Sequence, residues 1–223
     1  MTSLHDRSRS LSLPRNGDFV SRKESGFSLL EMMIVISILM IVTGISFISL
    51  QPMLKQAHVD SAYDTTLMAM RNYRSRAVTE RRRYIVAFTA PRTITVSYWG
   101  VGVPVDPAPV VVQTLTLPQD VQFLVQAGMP NNAGTVPDGF GNGGTAIDFG
   151  QGLGAGSLNQ VMFMPDGSSQ DQLQPGWYNS GVIYLGRPSD LESMRAITVF
   201  GTTGRIRGWR LYPAAAGPTW KEQ

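Results

Sequence analysis

From residue 27 to residue 50 the chain is apolar at almost every position, and the run holds a single charge, Glu31. A helix of that length can cross the hydrocarbon of a bilayer with some tilt. Pro52 stands where such a span emerges, and is expected to kink or interrupt the helix there. Over 53–80 the pattern changes. Ala62/Tyr63, Leu67, Met70, Tyr73/Arg74 and Ala77 recur at spacings of three and four, while Asp60, Asp64, Thr65, Asn72, Ser75 and Thr79 fall on the other side. That period predicts an amphipathic helix. Arg81, Arg82 and Arg83 end it, where cations suit the helix dipole.

From Tyr84 the period becomes two. Strands are expected over 84–89 and 92–99, joined by a hairpin at Ala90-Pro91, and then over 110–117 and 121–125. Residues 128–160 are dominated by Gly, Asn, Pro and Ala and read as one long loop, an excursion rather than a second domain. Strands resume over 161–164, with a turn at Pro165-Asp166-Gly167, and continue over 182–185, 196–200 and 205–212. The tail, 214–223, is expected to be mobile. One N-terminal helix followed by many antiparallel strands predicts an α+β domain, with the helix laying its apolar face on the sheet. The expected organisation is a leader over 1–26, a membrane or assembly helix over 27–52, an amphipathic helix over 53–83, and a β domain over 84–213.

Length and composition narrow the chemistry. The 223 residues allow one domain with appendages, and the absence of cysteine removes disulfides, thiolate metal sites and cysteine nucleophiles. The formal charge is +3, and its distribution matters more than its size. Segment 1–26 carries Arg7, Arg9, Arg15, Arg22 and Lys23 against Asp6, Asp18 and Glu24, so the remainder is nearly neutral. Basic residues then cluster at 71–83 and 205–210, with an acidic stretch between. Arg71, Arg74 and Arg76 read first as a solvated face, and alternatively as a contact with a neighbouring subunit or lipid headgroups.

The apolar run is too long for a secretory signal core, and no small-residue cleavage site follows it. A buried core helix would be shorter and show polar faces. Arg22 and Lys23 flank its N-terminal side, which by the positive-inside rule places 1–26 in the cytoplasm and the body of the protein outside. Glu31 costs roughly 2.5–3.5 kcal/mol at the centre of a bilayer on insertion scales, so it needs compensation and is a functional candidate.

Gly26-Phe27-Ser28-Leu29-Leu30-Glu31, opening an apolar span at a charge-to-apolar boundary, resembles the type IV prepilin signal. With no side chain, Gly26 lets a protease draw the backbone close at the scissile bond. The resemblance implies that a prepilin peptidase cuts after Gly26 and that the new N-terminus, Phe27, is methylated while the apolar run stays attached. It also implies that Glu31 pairs with the N-terminal amine of a neighbouring subunit, which would offset its burial and set the register between helices. Phe163-Met164-Pro165-Asp166-Gly167, Arg195-Ala196-Ile197-Thr198-Val199, Gly204-Arg205-Ile206-Arg207 and Arg74-Ser75-Arg76-Ala77-Val78 are together similar to the GspH/FimT family of minor pilins and pseudopilins. The implied architecture is pilin-like.

Other chemistry has less behind it. His5 would leave with the leader, and a catalytic triad or histidine metal site cannot be built from His58 alone. No paired carboxylate motif points to an enzyme, and no cofactor is expected. Asp138, Asp148, Asp166 and Asp171 could offer oxygens to Ca²⁺, and Gly143-Gly144-Thr145-Ala146-Ile147-Asp148 faintly resembles a calcium-binding repeat, but it occurs once where such sites need stacked copies. Arg205, Arg207 and Trp209 would share one face of a strand, with Ile206 on the other and Arg210 beyond. Two guanidiniums beside an indole could hold a phosphate backbone and stack a base. Some FimT-type minor pilins bind DNA through a Gly-Arg-x-Arg pattern, whereas an edge strand can also carry charge simply to prevent sheet pairing.

The sequence therefore reads as a non-enzymatic subunit of a type II secretion pseudopilus, held in the inner membrane with its C-terminal domain in the periplasm. Its expected partners are the prepilin peptidase, other pilin-like subunits through the N-terminal helix, the inner-membrane assembly platform and the lipid bilayer. A FimT-like minor pilin of a type IV pilus, binding DNA, is the first alternative. A signal-anchored periplasmic enzyme is the second.

Overall fold

The computed structural model describes residues 26–99, 109–141, 144–151, 159–174 and 176–223, with backbone alone for 47–50. The expected leader, with Arg22, Lys23 and His5, lies outside these residues except for Gly26, as does Gly143. The chain divides into two compact units, Met1–Ile48 and Ser49–Gln223.

One helix, α1 (Leu29–Glu80), contributes to both units and contains Pro52. The proline forfeits one i→i−4 hydrogen bond without ending the helix, contrary to the interruption its position suggested. The helix stops at Glu80 rather than at the third arginine. Arg81 takes a left-handed conformation (φ 51°), and the Arg82 N–H donates to the Ala77 carbonyl at 3.2 Å. That bond, from the second residue past the cap to the third from the end, is the Schellman stop, with arginine in the place glycine usually takes.

Two antiparallel sheets follow. The first holds β1 (Arg83–Thr89), β2 (Thr93–Trp99), β3 (Val110–Thr116), β6 (Gln160–Phe163) and β7 (Ser169–Gln170), in the order β3-β2-β1-β6-β7. The second holds β4 (Gln122–Phe123), β5 (Ile147–Gln151), β8 (Ser180–Arg187), β9 (Asp190–Phe200), β10 (Arg205–Tyr212) and β11 (Thr219–Glu222). Its order is β11-β10-β9-β8-β4, and β5 pairs with the first half of β8 beside β4 on the second half.

Two apolar layers result. The inner one joins Val59, Ala62, Tyr63, Leu67, Met70, Tyr73 and Ala77 of α1 to Val86, Phe88, Ile94 and Val96 of the first sheet and Ile183, Leu185, Ile197 and Val199 of the second. The three- and four-residue spacing of the helix and the alternation of the strands meet there, as the sequence period predicted. Polar residues nevertheless enter the packed side: Thr66 is buried and bonds back to the Ala62 carbonyl at 2.8 Å, and Asp60 turns toward the sheet.

The outer layer covers the far face of the second sheet. Met129 and Phe140 pack on Val182, Tyr184, Met194, Ala196, Trp209, Leu211 and Trp220. The Phe140 ring lies edge-on to Tyr184, Trp209 and Trp220, with centroids 5.9, 5.5 and 5.2 Å away. Two expectations are corrected here. The segment 128–160, expected as one loop, contains β5 and supplies Met129 and Phe140 to this core. The tail, expected to be mobile, forms β11, because Trp220 buries its ring and donates its indole N–H to the Pro130 carbonyl at 2.9 Å.

Candidate assembly helix and arginine strand

Gly26 and Phe27 precede the helix, and the Ser28 carbonyl accepts its first bond, from the Met32 N–H at 3.1 Å. Glu31 therefore sits in the first turn, where a carboxylate is favoured by the unsatisfied amide N–H groups. It makes no ion pair among the described residues. Every described side chain from Phe27 to Ser46 is exposed within this single chain. The few polar groups are spent internally: the hydroxyls of Ser37, Thr43 and Ser46 donate to the carbonyls of Met33, Leu39 and Val42 at 2.8, 2.6 and 2.8 Å. What remains is an apolar cylinder, by length and composition able to cross a membrane, with one carboxylate near its start.

Within the second unit, β10 splits the four candidate binding residues between two faces. Arg205, Arg207 and Trp209 point to the outer layer, while Arg210 and Gly208 face α1. Both outer guanidiniums are already paired. Arg205 Nη2 and Arg207 Nη1 donate to the same Asp138 oxygen, Oδ2, at 2.6 and 3.0 Å, and Arg207 Nε also meets Glu222 at 3.1 Å. The other Asp138 oxygen accepts from Thr198 Oγ1 at 2.9 Å, and Thr198 in turn accepts from the Trp209 indole N–H at 3.0 Å. Trp209 is buried by this arrangement, so its ring is not offered to a base. The candidate arginine–indole platform is thus joined in a network organised by Asp138. The carboxylates of the loop aspartates are likewise engaged: Asp148 accepts from Gln151, Asp166 from Ser168, and Asp171 from the amides of Leu173 and Gln174. No cluster of three or more potential metal ligands occurs among the described residues.

Arg74 does what the helix pattern alone did not indicate. Its Nε donates to the Gly167 carbonyl at 3.1 Å and its Nη2 to the Thr203 carbonyl at 2.8 Å. One guanidinium thereby holds the β6–β7 turn and the β9–β10 turn against the helix. Gly204 is required at the junction: its φ is +61°, and a Cβ there would stand 2.1 Å from the Gly167 oxygen and 2.7 Å from Arg74 Nε. The separate stretches around Arg74, Pro165-Asp166-Gly167 and Gly204 are therefore neighbours in space. An open groove of about 630 Å³ lies beside them, lined by Arg71, Arg74, Phe200, Thr203 and Arg205.

The buried arginine of β9 was not anticipated as part of any site. Arg195 is fully buried and its Nη2 donates to Asp60 Oδ1 at 2.8 Å. Gln56, with its amide oxygen turned to the guanidiniums, accepts from Arg195 at 3.0 Å and from Arg210 at 2.6 Å. Loss of water lowers the pKa of Arg195, and the Asp60 bond opposes that. The signal in the sequence was a lone arginine within the apolar stretch of β9. Near the end of α1, Arg76 lies over the rings of Tyr73 and Tyr84 and pairs with Glu80 at 2.7 Å. Burial, then its hydrogen bond to Glu80, raises the Tyr84 hydroxyl to about 12.

Residues 21–47 match the family described as the prokaryotic N-terminal methylation motif. That match spans Gly26, Phe27 and Glu31 and most of the apolar run. No curated protein sequence matches the chain. Among solved structures, the type IV minor pilin FimU of Pseudomonas aeruginosa is similar at a TM-score of 0.41 and 11% identity, over 70% of this chain and 90% of that one.

Proposed function

We propose that this chain is a minor pilin-like subunit of a type II secretion pseudopilus, made as a membrane-anchored precursor, cut between Gly26 and Phe27, methylated on Phe27 and assembled through α1. The observation that carries this reading is the methylation motif over residues 21–47, placed at the head of an exposed apolar helix that runs on into a folded domain. In the precursor the bilayer covers the apolar cylinder. In the filament the helices of neighbouring subunits cover it, and Glu31 pairs with a neighbour's methylated amine. A prepilin peptidase and an inner-membrane assembly platform are the partners this cycle needs. The domain then lies in the periplasm as part of a short filament that pushes folded substrates outward, with no reaction of its own. Mass spectrometry of the mature N-terminus tests the reading: methylated Phe27 is expected, and an intact leader refutes it. Glu31→Ala is expected to leave cleavage unchanged and to deplete the subunit from filaments; normal incorporation of that variant would rule out its assembly role.

The DNA-binding alternative rests on Arg205 and Arg207, which keep part of their surface exposed. Asp138 and Glu222 compensate both charges, and the buried Trp209 removes the stacking partner. This favours the secretion reading. A gel shift with micromolar protein separates them: DNA retarded by the wild type and not by an Arg205→Ala, Arg207→Ala double variant would restore the alternative.

A further inference from the structure

Just past its apolar run, α1 meets a charged cleft. Leu50 ends the run, and Pro52, Lys55 and Gln56 follow within two turns. With Arg187, Asp190 and Glu192 of the β8–β9 hairpin they line a cavity of about 280 Å³, all within the second unit. The hairpin side is fixed. Arg187 Nη1 donates to Asp190 Oδ2 at 2.9 Å, the Arg187 N–H donates to Ser193 Oγ at 2.8 Å, and that hydroxyl donates to the Asp190 carbonyl at 2.6 Å. Gln126 Nε2 also donates to the Arg187 carbonyl, at 2.5 Å. Lys55 and Glu192 differ from these. Both are exposed, and neither side chain has an ion-pair or hydrogen-bond partner among the described residues. A cation and a carboxylate thus line one cavity without meeting.

We propose that this cleft holds the headgroup of a zwitterionic phospholipid with a primary ammonium, phosphoethanolamine, its phosphate on Lys55 and its ammonium on Glu192. The proposal rests on the reading above only in placing α1 in a bilayer. Depth, charge and hydrogen bonding each select this ligand. Along the helix Pro52 and Lys55 lie about 3 and 8 Å past Leu50, and the headgroup layer is about 5–8 Å deep on each side of the hydrocarbon. The lining carries two cations, Lys55 and Arg187, and two carboxylates, Asp190 and Glu192. A net anionic lipid is attracted by one pair and repelled by the other, whereas a zwitterion satisfies both. Carboxylates accept N–H hydrogen bonds, which a primary ammonium offers and a choline does not. Choline sites are built from aromatic rings, and among the described residues no ring lines this cleft. A volume at the small end of ligand pockets suits a headgroup whose acyl chains stay in the hydrocarbon. Bound in this way, the lipid pins the β8–β9 hairpin to the bilayer surface, and extraction of the subunit breaks the contact.

Full-length protein in detergent micelles is titrated with dioleoyl lipids, and bound lipids are counted by native mass spectrometry. One phosphatidylethanolamine is expected to be retained with about tenfold higher affinity than phosphatidylcholine or phosphatidylglycerol, the difference made by one charge-assisted hydrogen bond. Lys55→Gln and Glu192→Gln should each erase the preference and leave Tm unchanged, because both side chains are exposed and unpaired. Soluble phosphoethanolamine should displace the lipid, and inorganic phosphate should not. Equal displacement by phosphate would reduce the site to a simple anion cleft and overturn the zwitterion. Binding of soluble phosphoethanolamine without any lipid preference would overturn the lipid as its source. A preference unchanged in both variants would place the lipid elsewhere and overturn the cleft. Equal retention of all three lipids, with Phe27 methylated in protein from the native membrane, would overturn the site and leave the subunit reading standing. A preference retained by protein whose leader is never cut would do the reverse.

Discussion

Asp60→Ala tests how much of the domain's stability depends on one buried cation. Arg195 has no exposed side-chain surface. Apart from Asp60 Oδ1 at 2.8 Å, its terminal nitrogens reach the Gln56 amide and the carbonyls of Glu192 and Met194, the latter two at 3.3 and 3.1 Å, while Nε has no partner. Removing one member of a buried ion pair costs about 3–5 kcal/mol, because the other charge stays desolvated. Two features reduce the cost. The Asp60 side chain is 43% exposed, so water already screens the pair, and the Gln56 oxygen remains as an acceptor. The expected loss is about 2–3 kcal/mol, which for a domain of this size lowers Tm by roughly 5–10 °C. Thermal unfolding followed by the fluorescence of buried Trp209 and Trp220 measures it. Asp60→Asn, which keeps an acceptor, should lose less, and Asp60→Leu with Arg195→Met should recover most of the deficit. A shift below about 1 °C for Asp60→Ala, as for an exposed surface pair, would refute the premise that the guanidinium is desolvated.

Three further outcomes are expected. Asp138→Asn uncovers Arg205 and strips Arg207 of one of its two carboxylates, so the protein should elute from immobilised heparin at higher salt than the wild type; unchanged elution would mean that Asp138 does not govern that face. Gly204→Ala drives a Cβ into the Gly167 carbonyl and Arg74 at a positive φ, and should cost about 2–4 kcal/mol in urea unfolding, a loss that a variant with wild-type stability would contradict. Tyr84 must remain a neutral phenol to stay buried against Glu80, and its folded pKa of about 12 lies above the ordinary 10.0. Its contribution is therefore full below about pH 10 and lost as pH rises toward 12; Tyr84→Phe should flatten that part of the stability–pH curve, and an equal slope in both proteins would count against it.

How far the sequence could be read depended on the range of the forces involved. The apolar run, its carboxylate and the methylation motif are local in sequence and were legible directly, as were the helix period and the alternation of β1, β2 and β10. Facing was less legible. Asp60 and Arg74 looked like residues of opposite helix sides, yet both bond toward the sheets, because Arg195 and two turn carbonyls distant in sequence demand partners. The same reason hid Asp138, a loop aspartate until β10 brings two arginines to it. Gly-rich composition concealed β5 and Phe140, since one aromatic among glycines leaves no periodic trace. Arg81 shows the limit for boundaries: a run of three arginines gives no sign of which one turns left-handed.

Strand β3 carries a different consequence. It closes one side of the first sheet with the sequence Val-Val-Val-Gln-Thr-Leu-Thr, and Val110, Val111 and Val112 are 52, 60 and 40% exposed. No charge or proline interrupts it, and those are the residues by which sheets usually keep their borders from joining. At high concentration this edge gives the isolated domain a place for border-to-border pairing with a second copy. Within the folded domain β3 is thus a border open to such pairing, separate from the apolar run of α1 and from the arginine network.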